Sequence, residues 1–328
     1  MILALETSCD DTCAAVVDAD GMIRANVISS QGVHDRYGGV VPEIASRHHV
    51  ELVNTVVDDA LARAGAGLSD AEMIAVTRGP GLIGALLVGL QTAKALATAR
   101  RLPLAPVDHL HGHVAANFLE PVRFDPPFLC LVASGGHTLL ADVQSPERFE
   151  VVGRTLDDAA GEAFDKGARL LGLSYPGGPA LERLAAKGDP EAFEFPIAAG
   201  VAGLDFSFAG IKTALLYRLR ELGQREAEAR RADLAAAYQR AIVEALALRV
   251  ERGLEATGHR RLALGGGVAA NSALRARVTG LADQVAVPPA ELCTDNAAMI
   301  ASAARYVEPL PHPEYLGLDV YASGELGL

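Results

Sequence analysis

Basic charge is in short supply in this 328-residue sequence. Twenty-nine lysines and arginines face 41 aspartates and glutamates, for a formal charge of −12. That is the wrong sign for a protein that grips nucleic acid by phosphate neutralisation alone, so an RNA substrate would need a local basic patch or a basic partner. Cysteine is scarce too. Cys9, Cys13, Cys130 and Cys293 form no Cys-x-x-Cys pair and no disulfide framework, which fits a reducing cytoplasm. No apolar run is long enough for a membrane span: the most apolar stretch, Gly79 to Ala93, falls short of the roughly 20 residues needed and is full of glycine. Met1 to Glu6 carries no basic leader and too short an apolar run for a signal peptide. The P-loop pattern G-x-x-x-x-G-K-[ST] is missing, and Gly265-Gly266-Gly267 lacks the spacing of a Rossmann fingerprint. A cytoplasmic protein with no membrane segment is expected.

Half the residues are apolar and the length exceeds one ordinary hydrophobic core, so two domains are expected. Residues 2–5 and 13–17 read as a β-hairpin whose turn, Glu6 to Thr12, is acidic and hydroxyl-rich. A third strand is expected near 24–29. After Gly38-Gly39-Val40-Val41-Pro42-Glu43 comes a helix with Arg47, His48, His49 and Glu51 on its charged face, and then a second helix near 52–64. A strand at 73–77, the loop Arg78-Gly79-Pro80-Gly81 and an apolar helix at 82–99 follow. That loop reads equally as an anion site at a helix N-terminus and as a tight packing turn.

The second half repeats the plan. Strand 128–132, the turn Ala133-Ser134-Gly135-Gly136-His137-Thr138 and strand 139–143 form a hairpin; strand 261–264, Gly265 to Gly267 and a helix over 268–278 come later. This is a duplication of structure rather than of letters. Two such units facing one another would make a cleft floored by two polar turns, whose bare glycine amides suit phosphate oxygens. A mostly helical insertion over about 155–255 separates the repeats of the second half. Within it Asp165, Gly178 and Glu182, read as lying at helix starts, are candidates to hold ribose hydroxyls. Asn271 could bond a base edge or a phosphate, or could simply cap its helix.

One stretch carries the sharpest chemistry, Pro106-Val107-Asp108-His109-Leu110-His111-Gly112-His113, a strand end running into a helix that Asp108 would cap. His109 and His113 fall at i and i+4 and share a face, so together they could hold a metal ion or could be buried helix histidines. His111 points elsewhere. Leu110 stands where a zinc protease's H-E-x-x-H would place its glutamate, which argues against proteolysis. Asp295, at the start of another apolar helix, supplies a third donor, and two histidines with one carboxylate suit iron(II) or zinc.

The segments Glu6-Thr7-Ser8-Cys9-Asp10, Gly38 to Pro42, Gly79 to Leu82, His109 to His113, Ser134 to Thr138, Asp157 to Lys166, Tyr175 to Pro179, Asp205 to Phe208 and Cys293 to Asn296 together resemble one family, in order from residue 1 to about 307. It is the TsaD family of tRNA threonylcarbamoyladenosine transferases. The resemblance implies an α/β fold of the two-lobed ASKHA class, shared with actin, heat-shock ATPases and sugar kinases and built as a duplicated RNase H-like unit. The lobes are expected at 1–107 and 108–328, with the helical insertion in the second and the C-terminal segment packing back on the first. The implied reaction moves a threonylcarbamoyl group from threonylcarbamoyl-AMP to N6 of adenosine 37 in tRNAs reading ANN codons, forming t6A. The resemblance makes His109, His113 and Asp295 ligands of one divalent metal, usually Fe(2+). It makes Val132, Ala133, Ser134, Gly135, Gly136, Asp165, Gly178, Glu182 and Asn271 contacts of the adenylate.

Asp10 is the expected proton acceptor or orienting acid, while Asp11 stands where the family commonly has glutamate. Implied partners are tRNA, a TsaB paralogue and a TsaE ATPase; the apolar residues that helices 47–64 and 86–99 present make these the expected pairing surface for TsaB. A small-molecule kinase or ATPase of the same fold and a nucleotide-gated scaffold are the competing readings.

Overall fold

The structure, a computed structural model, describes residues 1–322. Strands and helices in chain order are β1 (Ile2–Glu6), β2 (Asp11–Val17), β3 (Ile23–Ser30), α1 (Pro42–Arg63), β4 (Met73–Gly79), α2 (Ile83–Arg100), β5 (Leu104–Asp108) and α3 (His109–Ala115). They continue with β6 (Phe128–Ala133), β7 (Thr138–Ser145), β8 (Arg148–Arg154), α4 (Ala160–Leu170), α5 (Gly177–Ala185), α6 (Ala209–Ala229) and α7 (Arg231–Thr257). The last are β9 (Arg261–Gly265), α8 (Ser272–Val278), β10 (Gln284–Ala286), α9 (Ala290–Cys293) and α10 (Ala297–Ala304).

The chain forms two compact units, Met1–Asp125 with the chain from Thr294 onward, and Pro126–Cys293. Each has a five-stranded sheet, in the order β3-β2-β1-β4-β5 in the first and β10-β9-β6-β7-β8 in the second. Reversed, the second order is the first repeated. In both, the leading three strands are antiparallel and the last two add in parallel. The duplication and the two-lobed α/β class read from the sequence are therefore present. β1 and β6 are the central strands and are buried at every position, as strands covered on both faces must be. Edge strand β3 alternates instead.

Several boundaries differ from the sequence reading. The units divide at Asp125/Pro126 and Cys293/Thr294 rather than at 107/108. The reason is that α3 and α10 pack on each other and on the first sheet: Ser302 Oγ donates to Ala115 O at 2.8 Å. All eight residues of α10 are buried. The single helix α1 replaces the two expected at 42–64, because no glycine or proline interrupts that segment. β6 runs through Ala133, which was placed in the turn. The helix expected at 268–278 starts only at Ser272, after a single 3-10 turn, because Asn271 is extended (φ −64°, ψ 123°) and caps it. Gly266 has φ +84°, and a Cβ there would meet the carbonyl carbon of Ala133 at 2.5 Å, so Gly266 serves close packing against β6.

The C-terminal segment does return to the first sheet. Leu104 and Leu310 exchange both backbone hydrogen bonds (3.0 and 2.9 Å), and Lys94 Nζ donates to Leu316 O and Leu318 O at 3.0 and 2.7 Å. The Arg78 to Gly81 loop resolves as a packing turn. The Gly81 amide donates to Ala322 O at 3.2 Å and the Leu82 amide to Ser8 O at 2.8 Å, and a Cβ on Gly81 would lie 2.6 Å from Ser8 O, so its glycine serves close packing.

Candidate metal centre

Asp108 ends β5 and caps α3: its Oδ1 accepts from the amides of Leu110 at 2.8 Å and His111 at 3.2 Å. That cap sets where the helix begins and so places His109 and His113 one turn apart, with ring centroids 4.7 Å apart and planes at 79°. Asn296 does the same for α10, accepting from Met299 N at 3.0 Å and donating to Thr294 O at 2.8 Å, which fixes Asp295 between them. Gly112 lets the two helices close: a Cβ there would lie 2.8 Å from Ile300 Cδ1. The outcome is one cluster in the first unit, with ligand atoms of His109, His113 and Asp295 all within 4.8 Å of one another. The Nε2 atoms of His113 and His109 lie 3.3 and 3.5 Å from the same oxygen, Asp295 Oδ1.

The donor set fits a metal. His113 is fully buried, yet neither ring nitrogen makes a hydrogen bond of good geometry among the described residues. A buried polar group left so costs about 1–3 kcal/mol, unless a ligand takes it up. His109 is held from behind: its Nδ1 lies 3.0 Å from Glu6 Oε2 and 3.2 Å from Ser8 Oγ. The carboxylate can only accept, so Nδ1 keeps its proton, and Nε2, facing Asp295 Oδ1 at 3.5 Å, is the nitrogen a metal would take in place of a proton. This is the carboxylate–histidine arrangement that orients metal ligands.

Electrostatics agree. Burial would lift the Asp295 carboxyl, but His109 and then His113 outweigh it and hold it well below the usual carboxylate range. Burial likewise works against ionisation of Glu6, and His109, with help from Thr77, brings it below its ordinary value. Burial disfavours the charged form of His109, but Asp295 and Glu6 together raise it well above an ordinary imidazole. His113 is lowered, chiefly by burial, against the pull of Asp295. Two carboxylates are thus kept ionised around two imidazoles, a set that a divalent cation completes.

Glu6 was not read from the sequence as part of this site. It is fully buried and accepts from the Ser8 amide, from Thr77 Oγ1 at 2.5 Å and from His109. The signal was a carboxylate closing a strand with no exposed position. Asp10 lies half-buried on the β1–β2 turn, where its carbonyl accepts from Gln31 N at 3.2 Å. Asp11, next to it, is pushed up to about 7 by burial, opposed by a Ser30 hydrogen bond and reinforced by Asp295, Asp10 and Glu6.

The remaining predicted residues belong to the second unit. Val132 and Ala133 are buried in β6 and lead into the turn. Ser134 fastens that turn, its amide donating to His137 O at 2.8 Å and its Oγ accepting from His137 N at 3.2 Å. Gly135 and Gly136 are open, with no atom within 4 Å of where a Cβ would sit on the latter or the former. Asp165 and Glu182 sit inside α4 and α5, not at helix starts. Asp165 Oδ1 accepts from Gly177 N at 2.8 Å at the opening of α5, next to Gly178, which is also open above its Cα. Glu182 Oε1 accepts from Ser272 N at 2.8 Å and Ser272 Oγ at 2.5 Å, while Asn271 caps the same helix through Leu274 N at 3.0 Å and donates to Gln239 Oε1 at 3.0 Å. Asp165 is thereby joined to Gly178, and Glu182 to Asn271, through helix starts that their side chains cap.

A sequence profile of the tRNA N6-adenosine threonylcarbamoyltransferase family, TsaD, matches residues 22–302. The chain belongs to this family. Relatives bearing that name include one from Anaeromyxobacter dehalogenans, 54% identical over 98% of this chain and 97% of its own length. Others come from Clostridium perfringens, 48% identical over 93% of this chain and 92% of its own, and Pelobacter propionicus, 48% identical over 99% and 97%. Solved structures share the fold at much lower identity. Full-length HypF in its phosphate- and nucleotide-bound form aligns with a TM-score of 0.58 at 16% identity, covering 98% of this chain and 56% of that one. Component A of the Acidaminococcus fermentans (R)-2-hydroxyglutaryl-CoA dehydratase aligns at 0.56 and 15%, covering 93% and 95%. These likenesses establish the ASKHA-type fold.

Proposed function

We propose that the chain transfers a threonylcarbamoyl group from threonylcarbamoyl-AMP to N6 of adenosine 37 in tRNAs reading ANN codons, forming t6A. The observation that carries this reading is the 54% identity, over 98% of the chain, to a relative named for threonylcarbamoyl transfer to tRNA adenosine N6. The buried His-His-Asp cluster supports it.

In this reading His109, His113 and Asp295 hold one divalent metal, Fe(2+) by family resemblance, with Zn(2+) served by the same donors. Bound there, the ion supplies a Lewis acid. Glu6 keeps His109 in the tautomer whose Nε2 is a donor to metal. In the second unit the Gly135 and Gly136 amides, in the turn that Ser134 anchors, hold the adenylate phosphate. Val132 and Ala133 fix the strand that presents them. Asp165, Gly178 and Glu182 take the ribose side, and Asn271 the base edge or a phosphate. The N6 amine attacks the carbamoyl carbon, a C–N bond forms, the C–O bond to phosphate breaks, and AMP leaves with the electron pair. Asp10 accepts the proton released from N6.

The −12 formal charge makes help in holding tRNA part of the same reading. A TsaB paralogue pairs at α1 and α2, where Val50 (62%) and Ile83 (43%) are exposed and a shallow groove runs between Val50, Asn54, Leu87 and Gln91. TsaE is the assisting ATPase. No helix among the described residues is long and apolar enough to cross a membrane. The four cysteines are free, and a cytoplasmic location belongs to this proposal.

The test is incubation of the purified chain and its partners with threonylcarbamoyl-AMP and unmodified tRNA, followed by mass spectrometry of the digested nucleosides. The wild type should form t6A, and Asp10→Ala should lose most of the rate at normal metal content. No t6A under any partner combination would overturn the reading; Asp10→Ala at full rate would remove Asp10 alone.

A further inference from the structure

The last described residues form a strap that runs from Leu310, beside β5, past Lys94 to the β4–α2 loop, and it ends on the residue that caps α3. Beyond the Leu310 and Lys94 contacts, Arg78 Nε donates to Asp319 O at 2.8 Å and Tyr321 N donates to Arg78 O at 3.3 Å. The Arg78 guanidinium lies 5.7 Å from the Tyr321 ring centroid. These contacts aim the Tyr321 hydroxyl inward, 2.5 Å from Asp108 Oδ2 and 3.0 Å from Gly79 O. With a single proton, the phenol donates to the nearer carboxylate oxygen.

We infer that Tyr321 is a positioning residue for the metal centre, acting through Asp108. Asp108 uses Oδ1 for the first amides of α3, and the phenol on Oδ2 adds a second anchor that restrains the carboxylate from turning about its own axis. His109 is the first residue of that helix and His113 lies one turn on. A cap free to rotate lets the first turn fray, and both imidazoles move relative to Asp295, which is fixed separately by the cap of α10. Metal sites tolerate only a few tenths of an ångström in ligand distance, so the effect reaches affinity. The strap thus couples the C-terminal segment to the metal ligands without touching them. The inference rests on the metal reading of the His-His-Asp cluster.

The test uses Tyr321→Phe in the full chain, which keeps the ring and its packing and removes only the hydroxyl. Cobalt(II) is the probe, read by its visible absorption and by competition with a chromophoric chelator. Substituting groups that orient ligands typically costs 10- to 100-fold in affinity, and one bond further out we expect roughly 3- to 10-fold, with a changed cobalt spectrum. Asp108→Ser keeps a helix cap but has no second polar atom for the phenol to meet. Adding Tyr321→Phe to it should therefore change cobalt affinity no further. Unchanged affinity and spectrum in Tyr321→Phe, with or without a lower melting temperature, would overturn the inference while leaving the metal centre standing. A wild type that binds no cobalt would remove the metal reading, and this inference with it.

Discussion

Replacing Glu6 by glutamine is the sharpest probe of how the metal centre is built. The carboxylate accepts from three donors: the Ser8 amide at Oε1, and Thr77 Oγ1 and His109 Nδ1 at Oε2. A glutamine has one oxygen for two positions. With the oxygen toward Thr77 and His109, its NH2 confronts the Ser8 amide and leaves a buried N–H unpaired. With the oxygen toward Ser8, the NH2 faces His109, whose Nδ1 must then give up its proton and accept. The proton moves to Nε2, the atom needed for metal.

The first arrangement destabilises the fold by about 1–3 kcal/mol. The second blocks a ligand. The second leaves no buried N–H unpaired, so we expect it to prevail and metal affinity to fall roughly 10- to 100-fold, or about 1.4–2.7 kcal/mol. The assay is cobalt(II) or zinc(II) titration against a chromophoric chelator, with denaturant unfolding of the metal-free proteins alongside. Glu6→Gln binding within twofold of wild type, at unchanged stability, would refute the tautomer argument.

Other expectations follow from the same contacts. His113→Ala should abolish metal binding in a protein that still folds, and calorimetry should find roughly the 2–5 kcal/mol of a vacated core position and no more, because the imidazole has no good hydrogen bond to lose. Asp11 ionises near 7 in the folded chain against 3.8 as a free group, so its contribution is fully present below pH 4 and is lost as pH rises through 7. Asp11→Asn should therefore stabilise the metal-free protein relative to wild type, by an amount that grows by about 2–3 kcal/mol between pH 5 and pH 8 in denaturant titrations. Asn271→Ala should cost about 1 kcal/mol through the lost cap, and Asn271→Ser should restore that stability. If Asn271 also meets the adenylate, serine will not restore KM for threonylcarbamoyl-AMP; recovery of both would make Asn271 a cap alone.

The duplicated plan was legible because it is written in apolar periodicity and glycine turns, which report local structure directly. The metal cluster was legible in part. The i,i+4 spacing of His109 and His113 shows on any helix, whereas Asp295 lies far away in sequence and was marked only by its place at the start of an apolar helix and then by family resemblance. Glu6 escaped notice because a lone acid beside a hydroxyl-rich turn reads as solvated, and only the tertiary fold buries it against His109. The domain boundary was misplaced because α10 follows the second sheet in sequence but packs on the first, a long-range choice made by its all-round burial. Asp165 and Glu182 were expected at helix starts and instead cap neighbouring helices from within their own. Such side-chain-to-backbone bonds across elements leave no periodic trace.

The most direct test of the account is t6A formation measured against metal occupancy, by titrating iron(II) into metal-stripped protein with its partners, threonylcarbamoyl-AMP and unmodified tRNA. The account predicts that t6A yield rises in step with bound metal up to one ion per chain, and that Asp295→Ala neither binds the ion nor makes the nucleoside. Full t6A formation by the stripped protein, or by Asp295→Ala, would contradict it.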